Sequence, residues 1–246
     1  MTIAGIGFAG LIIAVIGVSI GACVQSALGF GLGLISAPVL ALIDLRFVPG
    51  PLIFLGMTIA MLVAHRERSS LDISAVKWAI FGRIPGSVLG SLAVVALADR
   101  WLAVLLGVTL LAAVIASVAG VRVPLNARTL FGAGTISGFS GTTTSIGGPP
   151  MALLFQHQSG PELRSSMAAF MSFGAAVSLI ILSAFGGYGA DELRLTALLA
   201  PPALAGYVAG RWTTGYLDRG RVRPAILIFS ALAATAILIR ELIHTI

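Results

Sequence analysis

Arg83 stands about ten residues into an apolar segment that begins near residue 73. At ~1.5 Å per residue that is roughly 15 Å of helix, close to the middle of a hydrocarbon core ~30 Å thick and beyond easy snorkelling. A guanidinium so deep is a functional candidate by default, and its fixed positive charge suits an anion. The plainer reading is a guanidinium bonded to backbone carbonyls at a helix break, since Pro85 and Gly86 follow directly. No Asp or Glu lies equally deep, so no carboxylate proton relay is visible. Asp44 and His157, near segment ends, are the weak candidates for coupling to H+, and coupling to Na+ stays open.

A second constellation is GTTTSIGGPP, Gly141 to Pro150. Ser140, Thr142, Thr143, Thr144 and Ser145 supply hydroxyls beside a break made by Gly147, Gly148, Pro149 and Pro150. The hydroxyls could line a polar cavity, or bond back to carbonyls four residues earlier and cap the next helix. Prolines fit the first turn of a helix, where no N–H bond is lost, and the glycines let a ligand approach the backbone. A matching break reads GFGLG, Gly29 to Gly33, with Gln25 and Ser26 just before it. Irregular backbone inside a membrane survives only where protein or a water-filled cavity surrounds it. Transporters use such half-helix N-termini to hold ions. The candidate substrate-binding set is therefore Arg83, Gln25, Ser26, Gly29, Gly31, Gly33, Ser140, Thr142, Thr143, Thr144, Ser145, Gly147, Gly148 and Pro149.

The elements that must position these residues follow from composition. Of 246 residues, 58% are hydrophobic and 10% charged, too few polar groups to cover a soluble globule. The chain reads as an all-α polytopic membrane protein. Its net charge of +6 is spread between apolar runs rather than clustered with aromatics, so nucleic acid is not an expected partner. Cys23 reads as packing, and His65, His157 and His244 show no ligand spacing, so no metal site is expected. No charged residue precedes Asp44, so the N-terminal apolar stretch lacks the basic region of a signal peptide and reads as a retained helix. With no deep carboxylate, metal cluster or nucleophile–base pair, the chain does not read as an enzyme, and no cofactor is expected.

Eight segments are long enough to span, near 6–28, 47–65, 73–97, 101–120, 129–146, 164–186, 194–217 and 222–243. Two short ones, near 32–43 and 148–157, each follow a glycine-rich break. A shift of 116 places Gly31 on Gly147 and Gly33 on Pro149. A shift of 120 places Gly86 and Gly90 on Gly206 and Gly210, and one of 119 places Asp99 on Asp218. The chain thus divides into two membrane repeats, 1–121 and 122–246, within one integral membrane domain. Each is a broken helix hairpin followed by three transmembrane helices. The glycine pairs themselves read as helix-packing motifs.

Loop charges orient the halves. Placing 66–77, 122–128, 157–164 and 211–223 in the cytoplasm puts ten Lys and Arg there against four opposite: Arg46, Arg100, Arg194 and Arg240. Equivalent loops then face opposite sides, so the repeat reads as inverted, with both termini outside. One broken spanning helix in place of each hairpin would instead make the repeat parallel.

With these motifs in view, the sequence resembles the sulfite exporter TauE/SafE family. The resemblance rests on LGFGLGLISAPVL (Leu28 to Leu40), SIGGPPMALLF (Ser145 to Phe155) and the R-x-P-G-x-x-x-G stretch from Arg83 to Gly90. It implies transport of a small anion, sulfur-containing or carboxylate, by a multi-pass protein of the cell (inner) membrane. Family members are usually described with about eight helices, which counts the short segments differently from the ten-segment reading. The expected function is a secondary transporter binding its anion at the midplane between two repeats, in contact with membrane lipid. A passive anion channel or uptake permease is the nearest alternative, and a non-transporting subunit a more distant one.

Overall fold

The computed structural model describes residues 2–3, 6–70, 73–119, 123–156, 158, 160–217 and 223–243. Expectations attached to Arg122, His157, Asp218, Arg219, Arg221 and His244 lie outside the described residues. Two short strands, Thr2–Ile3 (β1) and Ile6–Gly7 (β2), pair antiparallel at the start. Helices make up the rest of the regular structure among the described residues. They are α1 (Phe8–Leu28), α2 (Leu32–Ile43), α3 (Gly50–Arg66), α4 (Ile73–Ala96), α5 (Asp99–Val118), α6 (Ala127–Thr144), α7 (Gly148–Leu154), α8 (Gly160–Ala184), α9 (Ala190–Leu217) and α10 (Arg223–Ile243). The protein is thus a polytopic, helical membrane protein, and both short segments form short helices as expected.

Among the described residues seven stretches are long and apolar enough to cross a membrane, carried by α1, α3, α4, α5, α8, α9 and α10. The segment expected near 129–146 forms α6, but this helix does not join them. Its 18 residues include seven hydroxyl side chains and four glycines, which lower its apolarity. Protein shelters its polar C-terminal half: Ser137, Ser140, Thr142, Thr143 and Thr144 are all buried. The start of α6 is set locally, where the Asn126 side chain accepts from the N–H groups of Arg128 and Thr129 at 3.0 Å each. The Thr129 hydroxyl in turn accepts from Asn126 N–H at 3.1 Å, completing a capping box.

Packing is by pairs. α1 lies along α9 and α4 along α6, while α3 packs on α8 and α5 on α10. The first two contacts are backbone-close. A Cβ at Gly86 would overlap the Thr135 carbonyl of α6, and one at Gly206 the Ser19 carbonyl of α1. The glycine pairs are therefore packing surfaces, since only a missing Cβ allows this approach. One apolar core runs through Ala22, Leu40, Phe47, Leu106 and Leu199, and a second surrounds Met151, Phe155, Met167 and Phe170.

Loop contacts sort the ends of the bundle. Glu67 meets Arg164, and the Ser165 hydroxyl donates to the Ser70 carbonyl at 2.8 Å, so the end of α3 and the start of α8 share one end. At the other end Gly50 abuts Tyr188, and Arg240 donates to the Leu42 carbonyl at 3.5 Å. Arg66 and Arg164 thus lie together, as the charge count expects, and Arg46 and Arg240 lie with the opposite group.

Candidate functional site

Both breaks end a helix with a left-handed residue. α1 ends at Gly29 (φ +86°), whose N–H donates to the Gln25 carbonyl at 2.8 Å. α6 ends at Ser145 (φ +62°), whose N–H donates to Gly141 at 3.0 Å. Ser145 is residue 29 shifted by 116, so the two turns use equivalent positions. The turns pack together: a Cβ at Gly33 would overlap the Ser145 carbonyl, and the Phe30 ring lies against Gly148.

The amides at the two short helices differ. Leu32 N–H, the first of α2, donates to Gln25 Oε1 at 3.2 Å, and Gln25 Nε2 donates to the Gly56 carbonyl of α3 at 2.7 Å. Gln25 therefore ties the first break from both sides. α7 has seven residues, GPPMALL, so within its first three only Gly148 carries an N–H.

Arg83 lies against the second break. It is 3% exposed, and its Nη1 donates to the Ser137 hydroxyl at 3.0 Å. Ser137 in turn donates to the Gly147 carbonyl in a short hydrogen bond. The Phe170 ring centroid lies 5.0 Å from Arg83 Cζ, a cation–π distance. Its Nε has no hydrogen-bond partner, and no carboxylate pairs with it among the described residues. Glycines make room for the guanidinium: a Cβ at Gly147 would lie 3.1 Å from Nη1, one at Gly141 2.9 Å from Nη2, and one at Gly174 would overlap Nε. The plainer expectation, bonding to backbone carbonyls at a helix break, is not what holds it; its hydrogen-bond partner is a hydroxyl of α6.

The hydroxyls divide. Thr142 donates to Ser178 at 2.8 Å, and Ser178 also meets Ser87 at 3.1 Å, a buried triangle across α6, α8 and α4. Ser140 reaches the Ile136 carbonyl and, across the break, the Ile146 carbonyl, both at 2.9 Å. Thr143 and Thr144 donate back to Phe139 at 2.9 Å and Ser140 at 2.7 Å, as helix hydroxyls do. Ser145 donates to the Pro49 carbonyl at 3.0 Å.

Ser26 does not join this group. It donates to the Tyr207 carbonyl at 2.9 Å and accepts from Arg66, which also donates to the Ser26 carbonyl at 2.7 Å. Arg66 Nε and Arg164 Nε both reach Glu67 Oε1, at 3.1 and 3.3 Å. Gly29 sits against the Arg164 backbone. Asp44, at the far end of α2, is bonded by Arg46 at 2.6 Å, which holds its carboxyl below the usual range.

Sequence reasoning missed Ser137, Ser87, Ser178, Gly174 and Phe170, and read Arg66 and Arg164 only as topology signals. One signal was available for the first. Ser137, Ser140, Gly141 and Thr144 fall at i, i+3, i+4 and i+7, a single face of small and hydroxyl residues. The partners on α8, Phe170, Gly174 and Ser178, share a face at i, i+4 and i+8, but that spacing does not say which helix they meet.

A family model described as "Sulfite exporter TauE/SafE" matches residues 12–237, nearly the whole chain. No curated protein and no solved structure matches it.

Proposed function

The chain belongs to the sulfite exporter TauE/SafE family, and from that premise we propose that it is a secondary transporter carrying a small sulfur-containing or carboxylate anion across the cytoplasmic membrane. The observation that carries this reading is Arg83. Burying an ion costs several kcal/mol unless a counter-charge and hydrogen bonds compensate, yet this guanidinium is 3% exposed with no carboxylate partner among the described residues. A transported anion is the missing counter-charge. Ser137 and the hydroxyls of α6 would add hydrogen bonds, and the glycines at 141, 147 and 174 leave the room that the planar donor fork itself occupies.

Alternating access would come from two inverted halves, 1–121 and 122–246, rocking about this site. The helix pairing supports that reading. Exchanging the halves turns the α1–α9 contact into α6–α4 and maps α3–α8 and α5–α10 onto themselves, as a two-fold axis requires. Opposite loop charges favour an axis in the membrane plane. Cysteines at Ser70 and Ala190 label from opposite faces if so; labelling from one face removes the inversion.

Flux of sulfite, sulfonates and small carboxylates in proteoliposomes tests the function. Arg83→Ala abolishes it on this reading, and unchanged flux with wild-type affinity sinks the role of Arg83. A passive channel shares the same site chemistry, and accumulation against a gradient separates the two. Coupling to H+ or Na+ is tested by imposing each gradient in turn; no cofactor is required.

A further inference from the structure

A cavity of about 510 Å³ lies between α5 and α10 on one side and the turns of the two short helices on the other. Phe30 and Gly31 of the first break and Pro149 of the second line it. Gln156 and Gln158 lie on its wall, beside the start of α8 and so at the end of the bundle that holds Arg164. Among the described residues that line it none is charged, so none of them sets a carboxylate against an anion. Ser230 is 1% exposed on its wall, and its hydroxyl has no hydrogen-bond partner. Buried hydroxyls are ordinarily satisfied, so a free one on a cavity wall marks a place for a ligand acceptor.

Phe30 borders this cavity and reaches toward the second break. One side of the residue lines the cavity, while its ring packs against Gly148, next to the Gly147 that abuts the guanidinium. The ring also joins the apolar cluster of Met167 and Phe170, and Phe170 is the ring beneath Arg83. Phe30 is flanked by Gly29 at φ +86° and Gly31 at φ +129°. Glycine on both sides allows large backbone rotation without a Cβ clash, as hinge positions need.

Resting on the transport reading above, we propose that the cavity is the chamber from which the anion reaches Arg83, with Ser230 as its hydrogen-bond donor, and that Phe30 is the gate between chamber and guanidinium. The gate excludes water from Arg83 while the ring lies on Gly148. Rotation about Gly29 and Gly31 lifts it and joins the two spaces. An anion then exchanges the Ser230 hydroxyl for the guanidinium.

The test uses the full chain with Cys23→Ser and one added reporter, Ser230→Cys in the chamber or Ser137→Cys beyond the ring. The probe is the anionic thiol reagent 2-sulfonatoethyl methanethiosulfonate, applied to either face of membrane vesicles. Ser230→Cys reacts from one face with Phe30 present. Ser137→Cys reacts slowly, and Phe30→Ala accelerates it on the order of tenfold or more. Phe30→Leu, milder for folding, accelerates it in the same direction, and Phe30→Trp lowers flux without protecting Ser230→Cys. An unreactive Ser230→Cys overturns the chamber, and Ser137→Cys labelling indifferent to residue 30 overturns the gate. Arg83-dependent flux with labelling indifferent to residue 30 removes the gate alone. With flux read in the Cys23→Ser parent, where Ser137 is intact, labelling that responds to residue 30 beside absent anion flux supports the gate and removes the transport reading instead.

Discussion

The two breaks occupy equivalent positions in the chain, yet their electrostatics are opposite. The first is closed by a neutral side chain, Gln25, which bonds Leu32 N–H and the Gly56 carbonyl. Its neighbouring cations, Arg66 and Arg164, converge on Glu67. The second break lies beside Arg83, which donates to Ser137 and whose Nε is unpaired. At the position equivalent to Arg83 by the shift of 120, the second half has Ala203. Similar backbone devices thus serve different ends: one break is tied shut by hydrogen bonds, and the other is left next to an uncompensated charge. The unpaired guanidinium thus lies at one break only, although α1 pairs with α9 as α4 pairs with α6.

Three substitutions break or sharpen this contrast. The largest effect is expected from Gly174→Ala, whose methyl takes the place of Arg83 Nε. The displaced side chain is flexible, so folding survives an overpacking cost of about 1–3 kcal/mol, while anion flux falls as in Arg83→Ala. Wild-type flux from this variant would show that the guanidinium position is immaterial. Next is Gln25→Leu, which leaves Leu32 N–H buried without its acceptor and destabilises by about 1–3 kcal/mol. Thermal unfolding in detergent reads that loss, and affinity for the anion should change far less than in the Arg83 variants. A larger change in affinity than in stability would make the two breaks equivalent partners in binding. The smallest effect belongs to Ser145→Gly. It relieves a left-handed non-glycine residue but removes the bond to Pro49, so stability shifts by about 1 kcal/mol or less. A loss well beyond that would make the Pro49 bond a main tie between α3 and the second break.

The membrane class, the short helices after GFGLG and SIGGPP, and the depth of Arg83 were legible in the residues because each depends on local composition or spacing. Hydrocarbon demands long apolar helices, glycine permits left-handed turns, and proline tolerates a first helical turn. The α6 helix was legible as a segment but not as one less apolar than a spanning helix, because its hydroxyls needed α4 and α8 to shelter them. Thr143 and Thr144, open to both a cavity role and back-bonding on sequence, bond back within their own helix. Ser26 looked equivalent to them and instead meets Arg66. Long side chains choose partners by three-dimensional reach, which spacing along one helix does not specify.

By itself the sequence determined a membrane-spanning helical chain with two paired breaks, a deep cation and the motifs of an anion-exporter family. Tertiary structure alone decided that Ser137 of α6, not a carbonyl of α4, receives Arg83, that Gly174 and Phe170 of α8 enclose it, and that Glu67 pairs Arg66 with Arg164. The reason is physical: turns and hydropathy are properties of neighbouring residues, whereas a buried charge is placed by whichever distant helices pack around it.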